Sequence, residues 1–146
     1  MFLTPYLIVK DMSASLAFYK AYFGTEPSGG RPERFAIFNT DNGNLALYDP
    51  KYDEELIASG ADLSKHYNKA YLDTGLGIKN NPAKYGNNVI LNIGVDDLTA
   101  EYERVKSLGV GTASEIMYVN IAMPYYFFTI YDPDGNCLEI TGGYEE

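Results

Sequence analysis

Residues 131–140 read Tyr131-Asp132-Pro133-Asp134-Gly135-Asn136-Cys137-Leu138-Glu139-Ile140. Asp134-Gly135-Asn136 is turn chemistry, with Gly135 standing where a type I turn plus bulge needs a positive φ. Phe127-Phe128-Thr129-Ile130-Tyr131 leads into it, so the stretch predicts a hairpin. A turn centred on Asp134 pairs Tyr131 with Cys137, Thr129 with Glu139 and Phe127 with Thr141. Strand alternation then puts Tyr125, Phe127, Thr129, Tyr131, Cys137 and Glu139 on one face. It leaves Tyr126, Phe128, Ile130, Leu138 and Ile140 to pack on helices.

The same pattern occurs once earlier in the chain. Phe35-Ala36-Ile37-Phe38-Asn39, the turn Asp41-Asn42-Gly43-Asn44 and Leu45-Ala46-Leu47-Tyr48 align with it glycine on glycine, and Gly43 is predicted to take a positive φ. Ahead of each hairpin lies an extended apolar run, Pro5 to Val9 or Val89 to Val95, then an acidic N-cap candidate, Asp11 or Asp97. A helix follows each, ending at Gly24 or Gly109 as C-terminal glycines commonly do. Leu16, Tyr19 and Phe23 share one face of the first helix; Leu98, Tyr102 and Val105 share one face of the second.

The chain therefore reads as one α+β domain over residues 1–146, built from two similar modules at 1–50 and 87–146. The connecting segment 51–86 has short-helix character in its first half. Its second half, with Gly75, Gly77, Pro82 and Gly86, reads as a loop, and a connection this long marks a functional lid or a linker.

The second module resembles the vicinal oxygen chelate superfamily, which holds glyoxalase I, bleomycin-resistance proteins, fosfomycin-resistance proteins and extradiol dioxygenases. The resemblance rests on Val95-Asp96-Asp97-Leu98, Tyr102-Glu103-Arg104-Val105-Lys106, Leu108-Gly109-Val110 and the segment 131–140. It implies paired βαβββ modules whose strands form a curled mixed sheet around a cavity, assembled as a homodimer. In the metal enzymes of that superfamily four cavity positions supply the ligands, and the internal repeat maps them onto Thr4, Leu47, Ile90 and Glu139. Only Glu139 is a plausible ligand, whereas such a site needs three or four N or O donors at about 2.0 to 2.2 Å.

The same alternation turns Thr4, Tyr6, Ile8, Phe35, Ile37, Asn39, Leu45, Leu47, Asp49, Ile90, Asn92 and Gly94 toward the cavity, while Val89, Leu91, Ile93 and Val95 form an apolar, helix-covered face. A cavity rich in aromatic rings with one carboxylate suits a planar or cationic organic ligand. The expected ligand contacts are Tyr6, Phe35, Asn92, Tyr125, Phe127, Thr129, Tyr131 and Glu139, with no metal and no cofactor. Three roles stay open for Glu139: a hydrogen bond to Tyr6, Asn92 or Thr129 that holds the fold, contact with a ligand, or metal ligation. Cys137 reads as packing, since no His stands near it in sequence. His66, the one histidine, reads as a solvated position, and so do Asp53-Glu54-Glu55 and the tail Glu145-Glu146.

Composition narrows the partners. Lys and Arg number 11 against 20 Asp and Glu, a net charge of −9, which argues against nucleic acid. No apolar run approaches the roughly 20 residues of a membrane span, and a single cysteine fits a reducing, cytoplasmic setting. No GxGxxG, P-loop or His-Glu-x-x-His is present. The resulting expectation is a metal-independent small-molecule binding protein of the bleomycin-resistance type. The alternative is a glyoxalase-like lyase or isomerase, or a dioxygenase, with Glu139 as catalytic base or metal ligand; an effector-binding regulatory domain ranks third.

Overall fold

In the computed structural model, which describes residues 4–74, 83–85, 89–120 and 123–144, the segment around Asp134 forms the hairpin its sequence predicts. The two strands, β7 (Pro124–Tyr131) and β8 (Cys137–Gly143), pair Tyr131 with Cys137, Thr129 with Glu139 and Phe127 with Thr141. Asp132 makes the turn. Its Oδ1 accepts from the backbone N–H groups of Asp134 and Asn136 at 2.9 and 2.7 Å, its Oδ2 accepts from Asn136 Nδ2 at 2.8 Å, and Gly135 has φ 84°.

Two further strands, β5 (Ile90–Asp97) and β6 (Met117–Asn120), complete a mixed sheet of order β5-β8-β7-β6, with β5 parallel to β8 and β6 antiparallel to β7. Phe128, Ile130, Leu138 and Ile140 are fully buried on one side of it, as alternation requires. Each such side chain contributes about 1.5 to 3 kcal/mol by leaving water.

The helix α4 (Leu98–Leu108) starts where Asp97 accepts from the Ala100 N–H at 2.9 Å and stops at Gly109, whose φ is 65°. It buries Leu98 and Val105 and sets the Tyr102 ring against Phe128, 5.1 Å between centroids. An earlier helix, α1 (Met12–Phe23), clusters with this sheet along residues Ala14–Gly24. Its buried stripe is Ser15, Phe18, Tyr19 and Tyr22, rotated from the expected Leu16, Tyr19 and Phe23. Tyr19 fixes the rotation by donating its phenol proton to the buried Asp132.

The other compact unit repeats the topology. Its strands β1 (Tyr6–Ile8), β2 (Ser28–Arg31), β3 (Phe35–Thr40) and β4 (Gly43–Tyr48) lie in the order β1-β4-β3-β2. Here one expectation fails. The hairpin closes at Thr40 paired with Gly43 across the two residues Asp41 and Asn42, and Gly43 has no positive φ. This loop is shorter than the one at Asp134, so the β4 register slips by one residue and its faces exchange. Tyr6, Ile8, Phe35, Ile37, Ala46 and Tyr48 share one face, whereas Leu45 and Leu47, expected with them, are buried on the opposite one with Ala36 and Phe38.

The connecting segment holds α2 (Lys51–Ala58), a 3-10 turn (Leu63–Lys65) and α3 (Lys69–Thr74). Gly75, Gly77, Pro82 and Gly86 of its predicted loop, and the tail Glu145-Glu146, lie outside the described residues. Among the described residues no helix is long and apolar enough to cross a membrane.

Candidate functional site

The open face of the second sheet is a grid of three rows. Strand pairing sets Ile90, Cys137 and Tyr131 side by side, then Asn92, Glu139 and Thr129, then Gly94, Thr141 and Phe127. Glu139 occupies the centre. Its Oε1 accepts from Asn92 Nδ2 at 2.9 Å, one of the bonds expected for a fold-holding role, and this bond sets the orientation of the carboxylate. Rings flank it, with Tyr125 and Phe127 at 5.6 Å between centroids and Tyr131 54% exposed. The Cys137 thiol is held above its ordinary value by burial first, with the Glu139 charge adding and a Tyr131 hydrogen bond opposing, so it is a poor nucleophile at neutral pH.

The sequence-predicted contacts thus fall in two groups. Asn92, Tyr125, Phe127, Thr129, Tyr131 and Glu139 share the face just described. Tyr6 and Phe35 belong to the first unit, where they meet Tyr48: Tyr6 to Phe35 is 6.3 Å, and Tyr48 stands 6.4 Å from each. Alternation combined with the two-residue hairpin loop would have placed Tyr48 beside Phe35 from sequence.

A second missed group lies behind Tyr48. Asp53, expected to be a solvated member of an acidic run, is 1% exposed. Its Oδ2 accepts from the Tyr48 hydroxyl at 2.8 Å and from Arg34 Nε at 3.3 Å, and its Oδ1 accepts from Arg34 Nη2 and the Tyr67 hydroxyl. A buried carboxylate needs such partners, and Arg34 supplies both a bidentate fork and the opposite charge. Arg34 in turn lies over the Tyr52 ring, 4.5 Å from its centroid. Burial and the bond to Asp53 push the Tyr67 phenol up to about 12 and raise Tyr48 further. Glu54, Glu55 and His66 are exposed as expected.

The donor set does not fit the metal that the fold's metal enzymes carry. Among the described residues no three His, Cys, Asp or Glu side chains cluster to hold an ion. Leu47, assigned to a ligand position, is buried on the wrong face; pairing of Tyr6 with Ala46, which mirrors that of Asn92 with Glu139, makes Ala46 the strand counterpart of Glu139. Alanine offers no lone pair, so the correction leaves the count of donors unchanged.

Comparison with known proteins agrees with this topology. Solved structures with the same fold include a lactoylglutathione lyase from Agrobacterium tumefaciens, 22% identical, covering 98% of this chain and 93% of that one with a TM-score of 0.63. A glyoxalase/bleomycin resistance protein from Catenulispora acidiphila is 17% identical, with 99% of each chain covered and a TM-score of 0.60. An integron cassette protein from Vibrio cholerae is 16% identical over 99% of this chain and 95% of that one, with a TM-score of 0.64. No curated protein matches the sequence. Residues 2–140 match the family described as the Glyoxalase/Bleomycin resistance protein/Dioxygenase superfamily, and the chain belongs to that superfamily.

Proposed function

We propose that the protein binds a small organic molecule carrying an aromatic ring and a positive charge, without a metal. The observation that carries this reading is Glu139 itself: a lone carboxylate, braced by Asn92, at the centre of an open sheet face whose reverse side buries Phe128, Ile130, Leu138 and Ile140. Asn92 takes one oxygen, and among the described residues no other side chain competes for the carboxylate. Tyr125, Phe127 and Tyr131 supply ring surface on the same face, and aromatic faces attract cations as carboxylates do. The net charge of −9 favours a cation at longer range. Tyr6 and Phe35 offer a further aromatic contact surface in the first unit.

The test is a fluorescence titration of chelator-treated protein with proflavine, a planar aromatic cation, alongside the Glu139→Gln variant. Wild type should bind, and Glu139→Gln should bind about tenfold more weakly, the loss of roughly 1.4 kcal/mol expected for one partly exposed charge contact. Equal affinity of the two proteins overturns the role of Glu139. A divalent metal that stabilises the stripped protein and restores turnover of the methylglyoxal-glutathione hemithioacetal overturns the reading in favour of a lyase.

A further inference from the structure

We infer that Asp53 is a positioning residue for an aromatic ligand surface made by Tyr6, Phe35 and Tyr48, acting through the Tyr48 phenol. The inference rests on the reading of Tyr6 and Phe35 as ligand contacts and adds Tyr48 to them.

Tyr6 is 59% and Phe35 39% exposed, so both rings present surface that an aromatic ligand can cover. The three rings touch at 6.3 to 6.4 Å with interplanar angles of 57°, 84° and 50°, so they splay and leave ring surface for a flat guest. Tyr48 is the ring whose placement is fixed from behind. Its hydroxyl donates to Asp53 Oδ2 at 2.8 Å, and that carboxylate cannot swing, because Arg34 and Tyr67 hold its other lone pairs. Arg34 is itself pinned against Tyr52. A surface tyrosine would otherwise sample several rotamers, and holding one of them removes part of the ordering cost of binding.

Tyr67 provides the internal control. It donates to the same carboxylate, but its ring stacks on Tyr71 at 5.1 Å. A role in stability alone treats Tyr48 and Tyr67 alike, whereas a positioning role separates them.

The experiment is proflavine titration of the full chain carrying Tyr48→Phe, Tyr67→Phe, Asp53→Asn, the Asp53→Asn/Tyr48→Phe pair, and Tyr6→Ala with Phe35→Ala. The Tyr6 and Phe35 pair should weaken binding about tenfold. Tyr48→Phe and Asp53→Asn should each weaken it by about three- to tenfold, and the pair by no more than the larger single effect, since both cut one link. Tyr67→Phe should stay within about twofold of wild type while lowering the melting temperature as much as Tyr48→Phe. If Asp53→Asn fails to fold, the contrast of Tyr48→Phe with Tyr67→Phe decides alone. Wild-type affinity in Tyr48→Phe alongside weakened binding in the Tyr6 and Phe35 pair overturns the positioning role and leaves the contacts standing. Unchanged affinity in that pair removes the contacts, and the inference with them.

Discussion

Tyr19 donates its phenol proton to Asp132 Oδ2 at 2.9 Å, joining α1 to the turn of a hairpin 113 residues downstream. Burial first, then the Asp132 charge and hydrogen bond, raise the Tyr19 phenol far above its ordinary value. Tyr22, one turn further along, is also buried, but its hydroxyl has no hydrogen-bond partner among the described residues. The two tyrosines should therefore respond to hydroxyl removal with opposite sign. Tyr19→Phe should destabilise by about 1.5 to 3 kcal/mol, the range for a bond to a charged acceptor, whereas Tyr22→Phe should be neutral or stabilising by up to about 1 kcal/mol. Urea unfolding of both variants measures the difference.

Alkaline unfolding should follow from the phenols. Tyr19, Tyr22, Tyr48 and Tyr67 all sit above the ordinary tyrosine value of 10.0, with burial the first cause in each and Tyr67 at about 12. Where a folded-state value is raised, the unfolded chain loses its proton first. The stability these groups supply is then complete below pH 10 and declines as pH climbs from 10 toward 12 and beyond. Phenolate absorbance should show Tyr19, Tyr22 and Tyr48 losing their protons only with unfolding. Tyr67→Phe should soften the decline between pH 10 and 12.

The faces of the β7–β8 hairpin should differ in tolerance. Phe128 is fully buried and touches the Tyr102 ring, so Phe128→Ala should cost about 3 to 5 kcal/mol. Thr129, its neighbour on the open face, should tolerate alanine within about 0.5 kcal/mol. Thermal denaturation of the two variants tests the assignment of faces directly.

Gly142 makes room for its neighbour strand. A Cβ there would lie 2.5 Å from the Val95 carbonyl oxygen and 2.9 Å from Val95 Cγ2. Gly142→Ala should therefore cost about 1 to 3 kcal/mol by overpacking, read as a lower denaturation midpoint. By contrast Gly43→Ala meets nothing within 4 Å and needs no positive φ, so it should be tolerated.

Much of the fold was written locally. The β7–β8 register followed from one turn, and α4 from Asp97 and Gly109, because turn and cap chemistry act over a few residues. The β3–β4 register did not follow, since Asp41-Asn42-Gly43-Asn44 admits two loop lengths and one residue of slip exchanges the faces of Leu47 and Tyr48. Asp53 was beyond local reading for a different reason. Its burial depends on Arg34, Tyr48 and Tyr67 converging from three places in the chain, and nothing in Asp53-Glu54-Glu55 marks one acid for the interior. Of the candidate contacts, those on the second sheet came together as one face because a single strand alternation links them.

The grouping of α1 with the later sheet shapes how the chain is made. Phe18, Tyr19 and Tyr22 leave the ribosome before any strand of β5–β8 has been synthesised, while β1–β4 are complete once residue 48 has emerged. The aromatic stripe of α1 is therefore made well before Asp132 and the hairpin that help to bury it in the folded chain. That interval is the period in which nascent chains depend most on chaperones and in which a stalled chain most readily aggregates.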